Sequence, residues 1–93
     1  MAGKVFVPTG DVAKIQDAQE GLRNAGAGLH AMMRFEVLNF ADGKRNAYEV
    51  YEAVAAEALA AGEWYYGRVE PDQVLKVLEK ATELGLFTVK SVR

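Results

Sequence analysis

The stretch that most limits what this chain can become lies near its middle, Ala41-Asp42-Gly43-Lys44-Arg45-Asn46, with Glu49 three residues further on. An Asp-Gly pair favours a tight reversal, because the aspartate side chain can hold nearby backbone N–H groups and glycine tolerates positive φ. Asn46 and Glu49 have the spacing of a capping box, with Asn in place of Ser or Thr. Each side chain can satisfy a backbone N–H that the first helical turn leaves without a partner. A turn followed by a helix start is therefore dictated here, and it divides the chain in two. The helix is expected to run through Tyr48, Val50, Tyr51, Val54, Ala55 and Ala58, with Gly62 as its natural stop.

Downstream, Glu63-Trp64-Tyr65-Tyr66-Gly67-Arg68-Val69 reads as a loop or short extended segment rich in aromatics. Pro71 suits the first turn of a further helix, and Asp72 complements its dipole. Val74, Leu75, Val77, Leu78, Ala81 and Leu84 supply an apolar face, Gly85 ends the helix, and Leu86-Phe87-Thr88-Val89 is β-prone.

Upstream, Lys4-Val5-Phe6-Val7 is a short β-prone run stopped by Pro8, so residues 1–10 form a strand or a leader too short for a secretory signal. Asp11 is a good N-cap. After Val12, Ile15, Ala18, Leu22, Ala25, Leu29 and Met32 recur at intervals of three and four, as in a heptad seam. The spacing predicts one long helix over 11–40. Gly21, Gly26 and Gly28 are the opposing signal, since each costs about 1 kcal/mol relative to Ala inside a helix. Asn24-Ala25-Gly26 could instead be a helix end, giving two short helices, but the unbroken register favours the long one. The order strand, long helix, turn, helix, aromatic segment, helix, strand has the skeleton of a winged helix in its second half. The expected fold is mainly α, winged-helix-like, with a long N-terminal helix and a minimal two- or three-stranded sheet in which the terminal strands pair. Ninety-three residues, 51% of them hydrophobic, make one domain, with residues 41–93 as the winged-helix-like unit.

Charge narrows the function. Residues 1–45 carry six Lys/Arg against five Asp/Glu, and residues 46–93 carry five against eight. A duplex-binding surface needs a basic excess to replace counterions, and the second half has the opposite. The last helix presents Asp72, Gln73, Lys76, Glu79, Lys80, Thr82 and Glu83, with no arginine for guanine and only Gln73 for adenine. Lys44, Arg45, Arg68, Lys90 and Arg93 could still form a small phosphate patch. With no cysteine there is no disulfide, thiolate nucleophile or thiolate metal site, which favours a cytoplasmic location over a secreted one. No apolar run approaches the roughly 20 residues of a membrane span.

No catalytic, cofactor-binding or metal-ligating residues are expected. His30 is the only histidine, with Leu29, Ala31 and Met32 around it, and reads as a surface or seam-flanking residue. Glu49, Glu52 and Glu57 share a helix without a burying environment, and read as a solvated face with Glu49 capping. The glycines lack the lysine and the strand–helix context of a phosphate cradle, and mark close helix packing or a helix break. Two groups remain as candidate interfaces. Trp64, Tyr65 and Tyr66 either pack onto the flanking helices or anchor a partner. The seam Ile15, Ala18, Leu22, Ala25, Leu29 and Met32 either packs in the core or meets another helix.

The phrase Leu38-Asn39-Phe40-Ala41-Asp42-Gly43-Lys44-Arg45, followed by Glu49-Val50, Ala53-Val54-Ala55-Ala56-Glu57 and Leu84-Gly85-Leu86, carries a resemblance. Over Phe35–Val89 the chain resembles the small C-terminal winged-helix domain that follows the catalytic domain of some zinc aminopeptidase-like proteins. More loosely, it resembles the peptide chaperones of pyrroloquinoline-quinone biosynthesis. The first resemblance implies an accessory role and no reaction, because the zinc ligands belong to the catalytic domain. The second implies that a leader peptide adds a strand at Val5-Phe6-Val7 or Phe87-Thr88-Val89. The expected function is thus a non-catalytic protein-interaction or oligomerisation module, resembling a peptidase accessory domain, whose partner is a second copy or a parent domain. The rivals are a DNA-binding winged-helix transcriptional regulator and a leader-peptide-binding chaperone module.

Overall fold

The computed structural model describes residues 3–10 and 18–91. Among them, strand β1 (Lys4–Pro8) is followed by helices α1 (Gln19–Ala25), α2 (Ala31–Phe40), α3 (Ala47–Tyr66) and α4 (Pro71–Glu83), then strand β2 (Phe87–Ser91). The molecule is mainly helical with a small sheet. The two strands come from opposite ends of the chain and pair antiparallel, with Phe6 opposite Val89. Thr9 reinforces the join, donating its N–H to the Leu86 carbonyl at 3.0 Å and its hydroxyl to the Gly85 carbonyl at 2.8 Å.

The core lies where α1, α2 and α3 close on α4. Val74, Val77, Leu78 and Ala81 are buried at intervals of three and four along α4. They meet Leu22 of α1, Met33 and Val37 of α2, and Val50, Val54 and Ala58 of α3. Phe6 and Phe87 close the sheet side, edge to face at 6.5 Å. Each large side chain removed from water in this way contributes roughly 1.5–3 kcal/mol. The end of α4 carries a Schellman motif. Gly85 N–H donates to the Thr82 carbonyl and Leu86 N–H to the Ala81 carbonyl, which places buried Leu86 over buried Ala81 before β2 begins.

The Asp42–Asn46 reversal forms as its residues dictate. Asp42 Oδ1 accepts the N–H groups of Lys44 and Arg45 at 2.9 and 3.1 Å. Glu49 N–H donates to Asn46 Oδ1 at 2.8 Å, while Asn46 N–H donates to Glu49 Oε1 at 2.9 Å. Pro71 stands in the first turn of α4, and Gln73 Oε1 accepts the Glu70 N–H.

Two expectations are corrected. The helix expected over 11–40 is broken at Gly26–His30, and residues 11–17 lie outside the described part. A Cβ on Gly26 would stand 2.7 Å from Val77 Cγ2, so this backbone presses directly on α4 and turns away from it. Gly28 takes φ +88°, a left-handed value that suits glycine and ends the α-helical path. Arg34 Nη1 closes the turn on the Leu29 carbonyl at 2.8 Å. The break shifts the register by one residue, so α2 buries Met33 and Val37 and leaves Met32 50% exposed. The heptad count ran across this turn because Leu29 is buried for a tertiary reason and happens to fall on the repeat.

The second correction concerns the aromatic segment. Gly62 does interrupt α3, with φ 123° and ψ 93°, but helix resumes beyond it and closes on Gly67, whose N–H donates to the Glu63 carbonyl at 2.8 Å. Glu63–Tyr66 is therefore a kinked final turn of α3 rather than a loop.

Candidate docking face

The seam and the aromatic segment end up in opposite environments. Ala18, Leu22 and Leu29 are buried in the chain's own core, Ala25 is half-buried, and Ile15 lies outside the described residues. Those buried side chains are not available to a second helix. Among the described seam residues, Met32 alone is placed on the surface.

The kinked end of α3 holds the most exposed aromatic side chain. Trp64 is 89% exposed and Tyr65 60%, while Tyr66 leans against the core. The Gly62 kink seats the indole. A Cβ at Gly62 would lie 2.8 Å from Trp64 Nε1, so the ring folds back over the bare glycine backbone. From there the rings form a chain. Trp64 meets Tyr65 edge-on at 5.8 Å, Tyr65 meets Tyr66 at 4.9 Å, and both tyrosines contact His30 at 5.3 and 4.8 Å. His30 also caps α2, its Nδ1 accepting the Met32 N–H at 3.1 Å. Residue type alone does not point to this role, since histidine is not a favoured N-cap. Its position four residues after the helix-ending Asn24-Ala25-Gly26 is the available signal.

The same helix forms one wall of a shallow groove of about 240 Å³ that reaches the kink. Tyr51, Ala55, Leu59 and Glu63 line it at four-residue intervals, and Arg68 and Val69 face them from the connection to α4. Leu59 is 68% exposed. A smaller cleft of about 160 Å³ lies between Phe35 and Leu38 of α2 and the Pro8, Leu86 and Phe87 end of the sheet.

α3 carries Glu49, Glu52, Glu57 and Glu63, all exposed, and has no lysine or arginine. Glu49 is engaged by the capping box. Among the described residues, Glu52, Glu57 and Glu63 form no ion pair. The pairs present are Arg45–Asp42, Arg68–Glu70 and Lys80–Glu83. The acidity of Asp42 is displaced. The backbone N–H groups of Lys44 and then Arg45 hold its carboxyl below the ordinary aspartate range, and the Arg45 guanidinium assists.

Among the described residues, no three His, Asp or Glu side chains gather as a metal site, and no helix is long and apolar enough to cross a membrane. The sheet has one open edge there. The Thr9–Leu86 bond fixes the antiparallel pattern, which turns the N–H and C=O groups of Phe87 and Val89 away from β1. Comparison with protein-family models, with curated proteins and with solved structures gives no match.

Proposed function

We propose that the chain is a non-catalytic protein-interaction module that docks through α3, with Trp64 and Tyr65 as anchors. The fold reading that goes with it is winged-helix-like, with α2, α3 and α4 as the helical unit and β2 behind it. The partner reading follows the resemblance of the Leu38–Arg45 phrase to peptidase accessory domains, namely a larger catalytic neighbour.

One observation carries the proposal. The only tryptophan of the chain is almost wholly in water, held there by a glycine kink and braced by a tyrosine. Leaving so large an apolar surface out of a core forgoes roughly 1.5–3 kcal/mol, and tryptophan and tyrosine are the side chains that most often carry interface energy. Oligomerisation through the heptad seam loses its basis, because Leu22 and Leu29 are occupied within the chain. Duplex binding gains nothing from α4, where Lys80 is engaged by Glu83.

The test is a photoreactive phenylalanine derivative placed at position 64 and, as a control, at exposed position 79, in cells that make the protein. A discrete adduct from position 64 and none from position 79 is the expected result. An adduct with the mass of two copies would identify the partner as the chain itself. No adduct at position 64 would remove the docking reading.

A further inference from the structure

We propose that the α3 groove takes a cationic amphipathic helix from a different protein. This rests on α3 as the docking face and adds the chemistry of what docks there.

The shape of the groove favours a helix. Its wall is a four-residue stripe on a helix, so no backbone edge is offered to a strand, and Ala55 sits between Tyr51 and Leu59 as a low point where another helix can approach closely. Exposed Leu59 supplies the apolar contact at its centre and Trp64 an aromatic anchor just past its end.

Charge selects the partner. Glu63 lines the groove and Glu52 stands beside its Tyr51–Leu59 stripe, both without ion-pair partners among the described residues, and α3 contains no cation; Glu57 lies on the opposite side of the helix. Arg68, across the groove, already pairs with Glu70 at 3.2 Å. Two copies of this face brought together would set glutamates against glutamates, and like charges juxtaposed at an interface are strongly unfavourable. No other described helix offers a complementary ridge. α1 pairs Arg23 with Glu20 in sequence, Arg34 of α2 is bonded to the Leu29 carbonyl, and α4 alternates Lys76 and Lys80 with Glu79 and Glu83. The occupant is therefore not a second copy but a helix whose apolar ridge is flanked by lysine or arginine. Its cations can pair with the free glutamates and lie over the Trp64 face.

The experiment titrates the whole chain with three synthetic peptides. Two are amphipathic helices sharing one leucine–alanine face, flanked by lysine in one and by glutamate in the other. The third is the lysine peptide scrambled so that it has no apolar face. Trp64 is the sole indole, so its emission reports directly. The lysine helix is expected to blue-shift the emission and bind at least about tenfold tighter than either control. In the double variant Glu52→Gln, Glu63→Gln that preference is expected to fall to within about twofold, while Glu57→Gln, on the far side of α3, leaves it unchanged. All three sites are exposed, so circular dichroism should show both variants folded. Equal binding of the two helices, equal binding of the scrambled peptide, no binding at all, or an undiminished preference in the double variant would each overturn the inference. A position-64 adduct with a partner that lacks such a helix would overturn it while leaving the docking reading intact.

Discussion

The chain reverses direction in two places that look alike on paper and are built differently. At Asp42–Asn46 the side-chain bonds that shape the turn come from within it or from the next helical turn, and Val5 of β1 pairs with it only at Asn46. Asp42 holds Lys44 and Arg45, and Asn46 and Glu49 hold each other. At Gly26–His30 the deciding contact comes from about fifty residues away, where Val77 leaves no room for a Cβ on Gly26. The first turn is written in its own residues. The second is imposed by packing, and local residues such as Gly28 only permit it. A local turn should weaken by modest steps when its side chains are removed, while a packing-imposed turn should respond to bulk.

The largest expected effect tests the second turn. Were residues 19–40 one continuous helix, Gly26→Ala would stabilise the protein by about 1 kcal/mol, because alanine is the better helix former. In this structure the new methyl collides with buried Val77, and overpacking of this kind costs roughly 1–3 kcal/mol. Urea unfolding of the single variant distinguishes the two by sign. Restoring space with Val77→Ala in the same chain should recover part of the loss, provided that its own cavity cost is measured alongside.

The first turn should yield smaller, separable losses. Asn46→Ala removes the cap of α3 and should cost about 1 kcal/mol, the usual value of an N-cap. Asp42→Ala removes two bonds from backbone N–H groups and one from the Arg45 guanidinium in a half-exposed site and should cost roughly 0.5–1.5 kcal/mol near neutral pH. Its pH dependence follows from the depressed acidity of Asp42. A carboxyl whose folded pKa lies below its unfolded value stabilises the fold above the unfolded value, and that contribution is lost as pH falls through the folded one. The gap between wild type and Asp42→Ala should therefore be constant from neutral pH down to about 5 and shrink below roughly 4. Thermal melts across that range would contradict the assignment if the gap widened on acidification.

The same contrast decides what could be seen before the structure. The capping box, the Pro71 start, the Gly85 stop and the pairing of the terminal strands were legible, because each rests on a few adjacent residues or on the two β-prone ends. The break after Ala25 was half legible: Asn24-Ala25-Gly26 offers a helix end, but heptad spacing counts apolar residues without knowing which are buried by a helix face and which, like Leu29, by a turn, and so favours the long helix. The aromatic segment was half legible. Trp64, Tyr65 and Tyr66 stand out by type, but a lone glycine near a helix end reads the same whether it stops the helix or kinks it, and the turn of helix after Gly62 is what separates outward Trp64 from inward Tyr66. The groove depends on Arg68 and Val69 standing across from α3, an arrangement no spacing rule supplies.

The smallest expected effect is the most informative about function. Trp64→Ala removes the largest side chain in the molecule, yet it should change unfolding free energy by no more than about 0.5 kcal/mol, the range of surface substitutions that disturb no packing. His30→Ala, which removes both the α2 cap and two ring contacts with Tyr65 and Tyr66, should cost about 1 kcal/mol although histidine is much the smaller group. The order matters more than either value. If Trp64→Ala proves the more damaging of the two, the indole is a lid that stabilises the Gly62 kink, and its exposure has a structural explanation that needs no partner. If it is nearly silent in stability while abolishing the position-64 environment that a bound helix would change, then the fold has spent its one tryptophan on a surface it does not itself use, which is what a docking residue requires.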